Sequence, residues 1–573
     1  MYFNSKGKEE VTYDAIVVGS GISGGWAAME LCEKGLKTLV LERGFEVKHL
    51  QYPTANLDTW DMPNRGITPA EEIAMHYPKQ SRTGYTVTEA RKHFFVKDSE
   101  HPYQENKRFD WMRGYHTGGR SLMWGRQSYR LCEMDFEANA KEGIGTDWPI
   151  RYKDLAPWYS YVENFIGVSG QKEGLSQLPD GEFLPPMEMN CVEKVFREKT
   201  AEKFNGRSVT IGRTAHLTGP LKHNKTPRRG ECQTRNRCMR GCPFGAYFSS
   251  QSSTLPVAEA SGNLTMRSNS IVHSLIYDKE KKRAVGVRVI DAETKETHEF
   301  FAKVIFLNAS AVGSTAILMQ SKSDAMPEGI GASSGELGHN LMDHHFRCGA
   351  SGTFNGFEDK YYKGRRPNGI YVPRFRNLDE ASKMADFVRG YGYQGGAYRE
   401  GANRGGNEAG LGAAHKDKMT APGPWKMGIM AFGECLPYHE NKMMLDYDNS
   451  DQWGLPTVRF DAEWKENEMN MRKDMQSAAA EMLEAAGFTD VSPYERMSWP
   501  GLGIHEMGTA RMGRDPKTSV LNANNQVWDA PNVFVTDGAA MTSASCVNPS
   551  LTYMALTARA ADFAAKALQR NEI

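Results

Sequence analysis

The sequence has no surplus of either charge: Lys and Arg number 70, as do Asp and Glu, in a chain of 573 residues. Without a basic surplus no excess charge is available to drive nucleic-acid binding, and no polybasic run points to a membrane surface. Long hydrophobic runs are also missing. Stretches such as Ala15–Val18 and Val304–Leu307 fall far short of the ~18 residues a membrane span needs. The opening MYFNSKGKEE lacks the apolar centre of a secretory signal, so the expectation is a polypeptide with no export address of its own. Cysteine is sparse: nine residues, an odd number and mostly scattered, which argues against a disulfide framework. No internal repeat and no low-complexity tail is present. What the chain does have is length, enough for two intertwined domains.

Tyr13–Val18 reads as a buried strand, Ser23–Lys34 as a helix and Thr38–Glu42 as the next strand, a βαβ opening. A second strand-like run, Lys303–Leu307, leads into the helix-like Ser314–Gln320. Near the end Val533–Thr536 repeats the strand pattern, and Leu551–Leu568 reads as an apolar helix. Between them the character changes, with alternation in Ile370–Phe375, a Gly-rich stretch over 389–412 and an amphipathic helix near Glu466–Ala486. The layout predicts an α/β protein: a discontinuous Rossmann-like cofactor domain with an inserted α+β substrate domain. The expected boundaries are 1–334 and 501–573 for the cofactor domain and 335–500 for the substrate domain. The Gly-rich stretch is a candidate lid.

Gly19-Ser20-Gly21-Ile22-Ser23-Gly24 lies between the first strand and the first helix. Gly19 permits the tight turn, Gly21 admits a pyrophosphate close to the backbone, and Gly24 lets helix and strand pack closely. The helix N-terminus offers free N–H groups to the phosphates. Glu42 ends the second strand 21 residues after Gly21, where a carboxylate can accept from ribose hydroxyls. FAD and NAD share this fingerprint. Asp537, following a strand near the chain end, supplies the second contact expected for the longer cofactor, so FAD is the choice.

Cys232, Cys238 and Cys242 are spaced C-x5-C-x3-C, with Gly241 and Pro243 allowing tight loops. Thiolates in such a loop suit an iron–sulfur cluster, and three ligands suggest [3Fe–4S]. The alternatives are [4Fe–4S] with a non-cysteine ligand, zinc completed by His223 or another residue, or three unconnected thiols.

Several segments together resemble the glucose–methanol–choline (GMC) oxidoreductases. Gly118-Gly119-Arg120-Ser121-Leu122-Met123-Trp124-Gly125 looks like that family's GG-x-S-x-x-x-G loop beside the flavin, and Ala309–Ser314 resembles its second signature. Asp451-Gln452-Trp453-Gly454-Leu455-Pro456 looks like the D-x-x-G-x-P turn of its substrate domain. His505–Gly513 matches H-x-x-G-T-x-x-M-G, and Asn548-Pro549 matches the closing segment.

The resemblance implies a discontinuous FAD-binding domain and an inserted substrate domain on an antiparallel sheet. It makes His505 the base that takes the hydroxyl proton, because imidazole is largely neutral above its ordinary pKa near ~6.5. It makes Asn548 the partner holding the substrate oxygen. The plainer readings are a satisfied buried histidine and helix-capping chemistry. Cofactor contacts are expected at Gly19, Gly21, Gly24, Glu42, Gly118, Gly119, Ser121, Val272, Asp537 and Pro549. The helix after Pro549 would aim its N–H groups at the flavin's N1–C2=O edge. Met123 stands where some relatives carry the histidine that binds flavin covalently, so non-covalent FAD is expected. Ile504 replaces an Asn of some bacterial glucose dehydrogenases, which turns the expectation away from glucose. His344 and His345 resemble a family loop near the flavin, with a structural role at least as fitting.

The cysteine segment 228–248 is similar to that of bacterial membrane-linked sugar dehydrogenases, which use such a set for [3Fe–4S]. This implies electron transfer to a cytochrome c, a small partner subunit bearing a twin-arginine signal, and a periplasmic location by co-export. A cytoplasmic location is the alternative, and membrane association is expected only through partners. Arginines 228, 229, 235, 237 and 240 are candidates for docking an acidic partner or for a solvated loop. The leading substrate is C3 of a glycoside or disaccharide. Gluconate 2-dehydrogenase, fructose dehydrogenase, an oxygen-dependent oxidase and a non-catalytic flavin-holding subunit are the rivals.

Overall fold

A computed structural model describes residues 12–361, 366–401 and 410–573. Its first sheet has eight strands, running Gln526–Val527, Ala530–Val535, Thr297–Leu307, Thr12–Val18, Thr38–Leu41, Leu264–Arg267, with the hairpin Ser270–Asp278 and Arg283–Asp291 set against Thr297–Leu307. The central strands are parallel, with Val17 opposite Phe306 and Ile305 opposite Val533. Parallel strands are covered on both faces, which is why they read as unbroken apolar runs. The helix Ile22–Glu33 packs on the closing helix Ser550–Gln569, so both chain ends build one layer over this sheet.

The second sheet has six strands in the order Thr489–Glu495, His345–Phe354, Trp425–Gly433, Tyr391–Arg399, Ile370–Val372, Thr210–Ile211, each antiparallel to its neighbours. Trp425–Gly433 alternates strictly between buried and half-buried residues. One face places Met427, Ile429 and Ala431 against Met471, Met475 and Met482 of the helix Glu466–Ala485. The other face carries Gln394 and Phe432 toward a cavity between the sheets.

Two expectations are corrected here. Residues 391–399 of the proposed lid form an interior strand; side chains of Tyr391 and Tyr393 are buried because they pack on Phe375. Residues 402–409 of that stretch lie outside the described residues. Segment 1–334 also contributes to both layers: Met189, Val192, Phe196, Val209 and Ile211 join the core of the antiparallel sheet, because strand Thr210–Ile211 extends its edge. Among the described residues no helix is long and apolar enough to cross a membrane.

Candidate active site

A cavity of about 560 Å³ runs from the glycine turn to the exposed face of the antiparallel sheet. At its first end Gly19 takes φ +94°, and a Cβ there would lie 2.4 Å from the Asn308 carbonyl oxygen. A Cβ on Gly24 would lie 1.9 Å from the Gly19 carbonyl oxygen, so helix and turn touch with no room for a side chain. Gly21 instead faces open space, its nearest neighbour 3.9 Å away.

Glu42 and Val272 line this end. The Glu42 carboxylate accepts from the Ser20 hydroxyl (2.5 Å), the Ser20 N–H (3.1 Å) and the Gly44 N–H (3.0 Å), so it braces the turn as well as facing the cavity. The Asp451–Pro456 turn, expected in the substrate domain, reaches over the same end. Asp451 pairs with Arg43 at 3.3 Å, and the Arg43 guanidinium lies over the Tyr115 and Trp453 rings.

In the middle of the cavity Gly118 N–H donates to the Ser20 hydroxyl at 2.8 Å. Ser121 donates to the Gly118 carbonyl at 2.6 Å and accepts from Ser250 N–H at 3.1 Å, so its hydroxyl fastens the loop. Gly119, Ser121 and Met123 line the cavity, while Gly118 faces the Gln251 side chain. Asp537, pushed up to about 6 by burial, accepts from Ser314 and from Ala539 N–H. Asn548 and Ser550 line the wall on either side of Pro549, which precedes the last helix. Asn308 Oδ1 and the Tyr553 hydroxyl are buried in this wall without a protein partner. Open space at Gly21 and orphaned polar atoms along the wall fit a long, polar dinucleotide such as FAD.

His505 and Asn548 both line this cavity. Residues 503–505 are anchored by one buried carboxylate: Asp343 accepts N–H bonds from Gly503 (2.9 Å), His344 (2.8 Å) and His505 (3.0 Å). Burial and the neighbouring Glu506 push Asp343 up to about 7. Ile504 takes φ +62°, an uncommon conformation for a β-branched residue that is maintained only where the surroundings enforce it.

The protonation pattern of the histidines follows from their partners. His344 Nε2 lies 2.7 Å from the Ser545 carbonyl, which can only accept, so Nε2 carries the hydrogen. Burial holds His344 down at about 4, so it is neutral and its Nδ1 is an acceptor. His505 Nδ1, 2.7 Å from that atom, is then the donor, and the lone pair of His505 is left on Nε2. Burial, His344 and Arg120 hold His505 well below the ordinary imidazole range. A second chain orients Asn548: Tyr129 donates to Gln127 (2.7 Å), Gln127 to Gln394 (3.1 Å) and Gln394 to Asn548 Oδ1 (2.7 Å). The Asn548 amide N–H groups remain as donors. The Phe346 and Phe432 rings, 5.1 Å apart and parallel, line the same cavity.

Cys232, Cys238 and Cys242 line one small cavity of about 30 Å³ beside the large one. Among the described residues no group of three or more His, Cys, Asp or Glu is drawn closely enough to hold a single metal ion. The three thiols thus share one cavity without forming a single-ion site of ~2.3 Å Zn–S bonds among the described residues. The zinc alternative through His223 is overturned, because His223 stacks on Phe165 and its Nε2 bonds the Phe165 carbonyl at 3.0 Å. The side chain that does face the cysteines is His216. The arginine expectation is also corrected. Arg229 bonds the carbonyls of Gly245 and Ile166, Arg235 that of Ala55 and Arg240 that of Leu57, and Arg237 pairs with Asp58. These groups strap the loop to the protein; Arg228 alone of the five is exposed.

Family models described as GMC oxidoreductase match residues 13–346 and 437–557. The chain belongs to the GMC oxidoreductases. It is accordingly a flavin-dependent oxidoreductase of alcohol or sugar CH–OH groups. It is 29% identical over 561 residues to the 2-methyl-1,2-propanediol dehydrogenase of Mycolicibacterium austroafricanum, covering 96% of this chain and 94% of that one. It is 25% identical to the fructose dehydrogenase large subunit of Gluconobacter japonicus, covering 97% and 98%. Among solved structures it resembles an Aspergillus oryzae formate oxidase with TM-score 0.61 and 14% identity, covering 99% of this chain and 100% of that one; this likeness shows the GMC fold.

Sequence reasoning missed Asp343, Gln127, Gln394 and His216, and underrated His344. The signal present in the sequence was the His344-His345 pair. Its alternation sends His344 to His505 and His345 toward Trp464.

Proposed function

We propose that this GMC oxidoreductase is a sugar dehydrogenase using non-covalent FAD, with His505 as base and Asn548 holding the reacting oxygen. In this reading Cys232, Cys238 and Cys242 hold a [3Fe–4S] cluster through which electrons leave for a cytochrome c. FAD, when bound, supplies the hydride acceptor; the cluster, when bound, supplies a one-electron relay.

His505 Nε2 takes the hydroxyl proton, and the bond to His344 keeps the ring turned so that its lone pair faces the cavity. Asn548 donates to the substrate oxygen as negative charge gathers there, while Gln394 fixes its orientation. Arg126, Asn368 and Gln394 offer hydrogen bonds to neighbouring hydroxyls, and the Phe346–Phe432 pair suits the apolar face of a sugar ring. The leading substrate is the C3 hydroxyl of a glycoside or disaccharide, with gluconate or fructose as the rival. The named similarity to a fructose dehydrogenase large subunit favours that rival. A small subunit with a twin-arginine signal, co-export to the periplasm and membrane association through partners complete the proposal.

The observation that supports the electron-transfer reading is the adjacency of two lining residues: consecutive Cys238 and Met239 line the small and the large cavity respectively. The test is iron and acid-labile sulfide per flavin on anaerobically purified protein, with EPR of the oxidised sample. About three irons per flavin and the signal of an oxidised three-iron centre support it. Flavin without iron, together with fast peroxide formation from sugar, replaces it with an oxygen-using oxidase. A substrate panel then separates glycoside from gluconate and fructose.

A further inference from the structure

We infer that His216 is a hydrogen-bond donor to the Cys238 sulfur, oriented by a chain that begins at Asn368 in the substrate cavity. The inference rests on the reading that Cys232, Cys238 and Cys242 hold an iron–sulfur cluster, and it adds a residue outside the thiol set.

Thr214 and His216 flank a tight bend at Ala215, closed by the His216 N–H bond to the Thr214 carbonyl at 2.8 Å, and this bend brings their side chains together. Both are buried, at 1% exposure each. The segment is pinned by backbone bonds between Thr214 and Ser169 and by the pairing of His216 with Tyr247. The Asn368 amide, which lines the substrate cavity, donates to the Gly125 carbonyl (3.1 Å) and to the Thr214 hydroxyl oxygen (2.8 Å). The Thr214 oxygen that accepts from Asn368 keeps its own hydrogen to donate, and His216 Nδ1 lies 2.9 Å away as the acceptor this inference assigns it. An imidazole that accepts at Nδ1 carries its hydrogen on Nε2. His216 Nε2 lies 3.8 Å from Cys238 Sγ, within reach of an N–H···S bond. The chain Asn368–Thr214–His216–Cys238 thus ties the substrate cavity to one of the three sulfurs.

A donor aimed at a ligand sulfur stabilises the more negative, reduced state of a cluster and raises its reduction potential. It has no such effect on potential if it serves packing alone. The experiment is an EPR-monitored potentiometric titration of the full-length, anaerobically purified protein and its His216→Phe and Thr214→Val variants, with iron per flavin measured for each. The expected result is full iron content throughout. His216→Phe should lower the reduction equilibrium about tenfold, equivalent to about 59 mV for one electron. Thr214→Val should give a smaller shift in the same direction.

An unchanged potential in His216→Phe with iron retained overturns the inference and leaves the cluster reading standing. Loss of iron in His216→Phe while Thr214→Val keeps it overturns the donor role in favour of direct ligation. Absence of iron in the wild-type protein overturns the cluster reading, and this inference falls with it.

Discussion

The large cavity and the cysteine cavity are lined by the consecutive residues Met239 and Cys238, yet they are built by opposite means. The first is set between regular elements: a glycine turn between strand and helix, the face of an antiparallel sheet, and the N-terminus of the last helix. His505 and Asn548, the groups proposed to react, are braced by backbone bonds to buried Asp343 and by amide and imidazole chains. The second is an irregular loop whose one regular piece is the short turn Cys238–Arg240. Arginines strap it down from outside, while the thiols around its centre have little to hold them to one another. Rigid elements prepare a site for chemistry; on the proposed cluster reading, a strapped loop leaves the last ordering step to the cluster.

The sharpest way to break this contrast is His505→Ala. With flavin content and melting temperature retained, sugar-dependent flavin bleaching should fall by about 10²–10⁴; a loss below tenfold removes His505 from the role of base. Next is Cys242→Ser. Substrate should still bleach the flavin at the wild-type rate, measured by stopped flow, whereas iron and most turnover with a one-electron acceptor should be lost. Loss of bleaching as well would show the two regions to be one structural unit.

A smaller effect, about 10–100-fold in turnover, is expected for His344→Phe, which removes the acceptor that orients His505. The pH profile gives a companion check. Acidification protonates Nε2 and abolishes proton abstraction, so rate falls as pH falls; because burial and the neighbours His344 and Arg120 oppose the imidazolium, the wild-type acid limb should lie below pH ~6.5. A limb at or above that value contradicts the assigned environment. The mildest change is Gln394→Ala. Losing one net hydrogen bond to Asn548 should cost about fivefold in kcat/KM, with no change in iron content.

Much of the scaffold was legible because it follows local rules. Unbroken apolar runs marked the parallel strands, and the amphipathic stretch near Glu466–Ala486 marked the helix now found at Glu466–Ala485. Glycine spacing marked the turn, since only glycine tolerates φ +94° at Gly19 and the 1.9 Å approach at Gly24. The Gly-rich stretch over 389–412 misled for a physical reason. Gly392 and Gly395 sit in a strand so closely flanked that a Cβ would meet Tyr371 or the neighbouring backbone, a packing demand that composition cannot tell from mobility. The arginines of the cysteine loop misled likewise, because a charge is solvated or bonded according to what lies opposite it.

By itself the sequence determined the parts that depend on neighbours along the chain: the strand and helix periods, the glycine turn, the cysteine spacing and the family motifs. Only the tertiary structure decided which nitrogen of His505 keeps its lone pair, what turns Asn548, and that His216 rather than His223 faces the cysteines. His505 and His344 are 161 positions apart, and Gln394 and Asn548 are 154 apart. Hydrogen bonds act over about 3 Å in space and leave no spacing in the chain to read.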